Sequence, residues 1–108
     1  MSEAGKAALV WSPFPDAEIA RKIGGQLIGE KLIACANIFP AIESVFEWKG
    51  KVSSETECAV LLKTTAEHLD AVTKRLADLH PYETPAIVGW LVDKTPLQTL
   101  QWLEETLK

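Results

Sequence analysis

The chain has 108 residues, enough for one domain and too few for two with separate cores. With 47% apolar and 24% charged residues, its composition is that of a globular protein and excludes the disordered and fibrous classes. A formal charge of −4 with scattered Lys and Arg leaves no basic face for a phosphate backbone, so nucleic acid is not an expected partner.

No apolar run approaches the roughly 20 residues needed to cross a bilayer. The opening Met1-Ser2-Glu3-Ala4-Gly5-Lys6 lacks the basic segment, apolar stretch and cleavage site of a leader. Cys35 and Cys58 are the two cysteines, too few for a disulfide framework. These features together predict a cytoplasmic protein with no membrane contact.

In chain order, Ala7-Ala8-Leu9-Val10-Trp11 suits a short buried strand. Ser12-Pro13-Phe14-Pro15-Asp16 is predicted to be irregular, because its prolines lack donors and restrict their neighbours. Asp16 is a candidate helix cap, with Ala20, Ile23 and Leu27 at helical spacing through about Lys31. Gly24 and Gly25 weaken that helix by about 1 kcal/mol each relative to Ala, or else permit close packing on a sheet.

A β-rich stretch follows from Leu32 to Trp48, broken at Pro40. Ile42, Ser44, Phe46 and Trp48 fall on one face, and Glu43, Val45 and Glu47 on the other. Lys49-Gly50-Lys51 reads as a hairpin turn, with the returning strand from about Val52 to Lys63. Thr64-Thr65-Ala66-Glu67 has the form of a capping box, ahead of a helix from about Thr65 to Leu79 that His80-Pro81 ends. Ala86 to Val92 reads as a buried strand. A last helix is predicted with Thr95 as cap, Pro96 at its first position, and Leu100, Leu103 and Leu107 on its apolar face.

The order β-α-β-β-α-β-α is that of an α+β, ferredoxin-like split βαβ domain over residues 1–108, with an additional C-terminal helix. One sheet face takes the two main helices. Phe46, Trp48 and their neighbours leave the other in need of cover, for which self-association is the natural remedy.

Candidate chemistry is sparse. No phosphate-binding glycine loop, HExxH, CxxC or nucleophile elbow occurs, and without a nucleophile–base–orienter set a binding role is expected rather than catalysis. His68 and His80, on one helix, stand about 18 Å apart along its axis and cannot share a metal within a chain. His68, in the first turn, reads as a surface residue. A turn near Gly50 puts Cys35 and Cys58 about seven positions out of register, over about 20 Å along a strand, so they neither bridge nor share a metal. Glu57 and Lys63 project to the same face of the returning strand, either as an ion pair at the sheet end or as the lining of a pocket between subunits. His80-Pro81-Tyr82-Glu83-Thr84-Pro85 holds an imidazole, a phenol and a carboxylate in a stiff loop. A neutral His is a ready ligand for copper or zinc, and carboxylate or phenolate oxygen can add to it. The alternative is a helix-stop loop in which His80 interacts with the helix C-terminus.

Three stretches together resemble the CutA family of divalent-cation tolerance proteins. They are Leu32-Ile33-Ala34-Cys35-Ala36-Asn37-Ile38 with Ser44-Val45-Phe46-Glu47-Trp48-Lys49-Gly50-Lys51, Glu57 with Leu62-Lys63-Thr64, and His80-Pro81-Tyr82-Glu83-Thr84-Pro85. Trp102 matches the family's closing helix. The resemblance covers essentially the whole chain and implies a homotrimer with intertwined hairpins, related in architecture to PII signalling proteins. It implies copper or another divalent cation as ligand, and is compatible with a further protein partner. Matching by motif makes Cys35, Trp48, Glu57, Lys63 and Tyr82 candidates for an intersubunit cleft, and His80 with Glu83 candidates for the metal. Two departures, Trp11-Ser12 in place of a strand-end cysteine and Leu79-His80 in place of paired histidines, remove two ligands that some members carry. Two roles follow from the resemblance: a metal-binding or metal-responsive trimer, and a PII-like module holding a small molecule or peptide.

Overall fold

The computed structural model describes residues 5–108, so the reading of the first four residues as leaderless lies outside the described part. The elements are β1 (Ala7–Phe14), α1 (Ala17–Gly29), β2 (Cys35–Trp48), β3 (Lys51–Thr65), a 3-10 turn (Ala66–His68), α2 (Leu69–Leu79), β4 (Val88–Leu91) and α3 (Leu97–Thr106). All three strand pairings are antiparallel and the sheet order is β2-β3-β1-β4. β1 and β2 thus flank β3, as a split βαβ arrangement requires.

Even-numbered positions of β1 and β3 build the core. Val10, Phe14, Cys58, Val60 and Leu62 pack with Ala20, Ile23 and Leu27 of α1 and Val72 and Leu76 of α2. Removing each large side chain from water contributes about 1.5–3 kcal/mol. Burial also raises the Cys58 thiol above its ordinary pKa, so that residue is a small core hydrophobe. The Asp16 carboxylate caps α1 by accepting from the Ile19 amide at 2.8 Å. Outside the core, Arg75 on α2 grips Glu30 after α1 through two bonds of 2.8 Å. That guanidinium, with Gln26, holds the Glu30 carboxyl down at about 2.

Several local expectations are corrected. β1 continues through Ser12, Pro13 and Phe14, which pair with Val60, Ala59 and Cys58. Pro13 is tolerated because β4 reaches only Trp11 on the opposite side, so no neighbouring strand needs the missing donor. The expected capping box is absent: Thr64 and Thr65 remain in β3, and the Ala66 amide extends the ladder to Lys6 O. The two hydroxyls are used elsewhere, Thr64 donating to Leu32 O and Thr65 meeting His68 Nδ1 at 2.7 Å. His68 is therefore partly buried and bonded, not a freely solvated residue. The strand expected from Ala86 to Val92 is cut to four residues with an exposed outer side, since Ala86 O accepts from Ser12 Oγ at 2.8 Å. α3 starts at Leu97 behind an extended Pro96, without a Thr95 cap. Its predicted apolar face holds, with Leu103 and Leu107 buried.

The break at Pro40 is a bulge. Phe39 pairs with Ala59 and Ile42 with Glu57, so two residues of β2 oppose Cys58 alone. The extra residue shifts the side-chain alternation. Cys35, Asn37 and Phe39 therefore share a sheet face with Ile42, Ser44, Phe46 and Trp48, the face turned away from the core. The β2–β3 turn is two residues, Lys49 and Gly50, both at positive φ, the geometry that matches strand twist in tight hairpins.

Glycine packing gives a two-sided stability test. A Cβ on Gly89 would stand 2.9 Å from Leu69 Cδ1 and 3.3 Å from Leu9 O, whereas one on Gly25 would meet nothing within 4 Å. Gly89→Val is expected to lower unfolding free energy by about 1–3 kcal/mol, and Gly25→Ala to raise it by about 0.5–1 kcal/mol. Urea unfolding of both variants against wild type checks the pair.

Candidate functional site

β1 ends at Phe14 opposite Cys58, while β3 extends a further seven residues back to Lys51. The β2–β3 hairpin therefore projects beyond β1 as an arm, and the loop leaving α2 lies at the step. A cleft of about 770 Å³ forms there, walled by Phe46, Trp48, Glu55 and Glu57 of the arm and by Tyr82 and Glu83 of the loop.

The loop is held by His80. The helix stops there because the following Pro81 disfavours helical backbone in its predecessor, and His80 is extended at φ −68°, ψ 137°. The ring stacks on Phe14, centroids 4.3 Å apart at 26°, and contacts Tyr82 at 4.9 Å. Nε2 lies 2.8 Å from Pro13 O, and Nδ1 lies 3.1 Å from the Tyr82 amide nitrogen. A carbonyl only accepts and an amide N–H only donates, so Nε2 carries the proton and Nδ1 the bonded lone pair. Burial pushes the His80 pKa below the ordinary imidazole value, partly opposed by the Pro13 carbonyl and the charge of Glu57. The Tyr82 hydroxyl donates to Glu57 Oε2 at 2.7 Å. Burial, then this bond and the surrounding carboxylates, raise the phenol pKa well above its usual value, so Tyr82 stands as a phenol and not a phenolate ligand.

The structure thus joins four sequence candidates, Trp48, Glu57, Tyr82 and Glu83, in one cleft, with His80 behind it. His80, a metal candidate by sequence, is buried, and both of its ring nitrogens bond backbone groups of this chain. Cys35 and Lys63 are not at the cleft. They pair with one another at the far end of the β2–β3 ladder, six positions from Glu57, about 20 Å along the strand. The Glu57–Lys63 ion pair considered from sequence does not form; Glu57 bonds Tyr82 instead. Cys35 Sγ donates weakly to Asn37 Oδ1 at 3.6 Å. Among the described residues no three His, Cys, Asp or Glu side chains converge on a metal-sized site. Glu55 and Phe46 complete the cleft, and sequence reasoning missed them as site residues. Their alternation with Glu57 and Trp48 was the available signal.

Acid sensitivity follows from His80. Its stabilising effect is complete above the unfolded imidazole pKa of about 6.5 and is lost as the pH falls through the lower folded value, because the unfolded ring then takes up a proton first. Urea midpoints of the wild type should fall over this window, and those of His80→Gln should fall less steeply. Parallel profiles for the two proteins would contradict the assignment of a neutral, buried ring.

Comparison with known proteins places these features in a family. Residues 8–106 match the CutA1 divalent ion tolerance protein family. The divalent-cation tolerance protein CutA of Thermotoga maritima is 41% identical over 99 residues, spanning 92% of this chain and 97% of that one. The protein CutA 1, chloroplastic, of Oryza sativa subsp. japonica is 35% identical over 93% of this chain, which spans only 56% of that longer relative. The crystal structure of divalent ion tolerance protein CutA1 from Ehrlichia chaffeensis aligns with a TM-score of 0.92 at 36% identity, covering 99% of each chain. With a family match over most of its length and this agreement in fold, the chain belongs to the CutA1 divalent ion tolerance family.

Proposed function

We propose that the protein serves divalent-cation tolerance as a homotrimeric cation-binding module whose binding site is the cleft between the hairpin arm and the Tyr82 loop. The lining carries this reading: Glu55, Glu57 and Glu83 face the space, and no Lys, Arg or His lines it. These carboxylates give the cleft a negative potential that attracts cations, and because no three of them converge among the described residues, water or a second chain completes the coordination. Their oxygens suit hard and borderline divalent ions better than soft ones. A copper site richer in soft ligands needs groups from a second chain, since Cys35 lies at the other end of the ladder.

The homotrimer is supported by the uncovered sheet face. Phe39, Val88 and Trp90 are 43%, 57% and 45% exposed on it, a run of large apolar side chains that a partner surface would cover. In such an assembly Cys35 and Lys63, distant from the cleft of their own chain, would be available to the cleft of another. A second reading, a PII-like module with an organic or peptide ligand, is favoured by the aromatic walls of Phe46 and Trp48, which offer a bare ion nothing.

Calorimetric titration of metal-free protein with Cu²⁺, Zn²⁺ and Mn²⁺ tests the first reading. One cation per chain is expected, with Glu83→Gln and Glu57→Gln each weakening binding about tenfold, or ~1.4 kcal/mol. Affinity indifferent to both variants would overturn it in favour of the second. Native mass spectrometry should give three times the chain mass, and a monomer at micromolar concentration would defeat the assembly.

A further inference from the structure

We propose that His80 is a positioning residue whose ring, stacked on Phe14, in contact with Tyr82 and bonded at both nitrogens, presents the Tyr82 hydroxyl to Glu57 at the cleft. The role in binding rests on the reading of the cleft given above, whereas the contacts themselves belong to the unliganded chain.

A single neutral tautomer satisfies two backbone groups at once. Nε2–H donates to Pro13 O, a residue 67 positions away in sequence, and Nδ1 accepts from the Tyr82 amide. The first bond ties the loop to the end of β1. The second fixes the backbone of Tyr82, the origin of the phenol that reaches Glu57 Oε2 at 2.7 Å. The stacking on Phe14 settles the plane of the ring and hence the directions of both bonds.

The consequence for the cleft is chemical. Glu57 lies on the part of β3 that has no β1 neighbour, and among the described residues Tyr82 is the side chain that bonds it. The phenol takes Oε2 and leaves Oε1 for a ligand, so the carboxylate is held in one orientation rather than free to rotate. A cation meeting an oriented carboxylate is spared the entropy of ordering it. Phe at position 80 keeps the packing and loses both bonds; Gln offers an amide N–H and a carbonyl oxygen in their place.

The Tyr82 amide donates to His80 Nδ1, so hydrogen exchange at that amide reports the contact directly. In wild type the Tyr82 amide should be protected from exchange. His80→Phe should remove the protection, and His80→Gln should keep most of it. Protection in His80→Phe equal to wild type would overturn the proposal, as would exchange in His80→Gln equal to that in His80→Phe. Calorimetry with Zn²⁺ on the same variants separates the two readings. Weakened binding in His80→Phe with retention in His80→Gln supports positioning, while loss of binding in His80→Gln with the amide still protected would make the ring a ligand. If Glu83→Gln and Glu57→Gln leave cation affinity unchanged while the exchange pattern stands, the cleft reading fails and the positioning role of His80 does not. Should His80→Phe not fold, ring ¹⁵N NMR of the wild type decides. A proton on Nε2 and a hydrogen-bonded, unprotonated Nδ1, unmoved by saturating Zn²⁺, are expected; a proton on Nδ1 or a zinc-dependent shift would refute the assignment.

Discussion

β3 outlasts its partner. Paired with β2 along nearly its whole length, it has β1 beside it only from Cys58 to Thr65. Every feature of the candidate site derives from that inequality. The arm exists because the hairpin keeps pairing after β1 has stopped. A step exists because β1 turns into α1 at Phe14, where Asp16 caps the helix. The loop from α2 occupies the step, and the cleft is the space between loop and arm. A longer β1 would fill the place now taken by Tyr82 with another strand.

Polar satisfaction then decides how the loop sits. A loop bent over the end of a strand has backbone groups that neither ladder nor helix can serve, and each buried one left alone costs about 1–3 kcal/mol. Here Ser12 answers Ala86 O, and His80 answers both Pro13 O and the Tyr82 amide. These bonds explain why a loop with two prolines and a histidine holds one shape. They also occupy both ring nitrogens of the histidine, the atoms that metal coordination would use.

Charge and apolar surface divide the remaining face. Carboxylates gather at the arm's base, where the Tyr82 loop narrows access, while Phe39, Val88 and Trp90 stay exposed on the part of the sheet nearer the core. The carboxylate-lined cleft and these exposed apolar residues lie on the same side of the sheet. Membership of the divalent ion tolerance family accords with the cation-binding reading proposed above, and the exposed apolar residues with the trimeric one.

Local chemistry in the sequence determined the element order, the two main helices, the Lys49–Gly50 turn and the apolar stripe of α3, because period, caps and turn residues are read within a few positions. Turn-based register arithmetic also kept Cys35 and Cys58 apart, as the ladder confirms. The family was legible from motifs. What the sequence left undecided depended on neighbours distant along the chain. Pro13 lies in a strand because β4 is short. Thr64 and Thr65 stay in β3 because Lys6 and Leu32 offer partners that a helix cap would forgo. Glu57 meets Tyr82 and not Lys63, because strand spacing holds the lysine six residues away while the loop returns across the step. His80 is a metal candidate as a residue type; that Pro13 O and the Tyr82 amide stand one on each ring nitrogen was decided by tertiary placement alone.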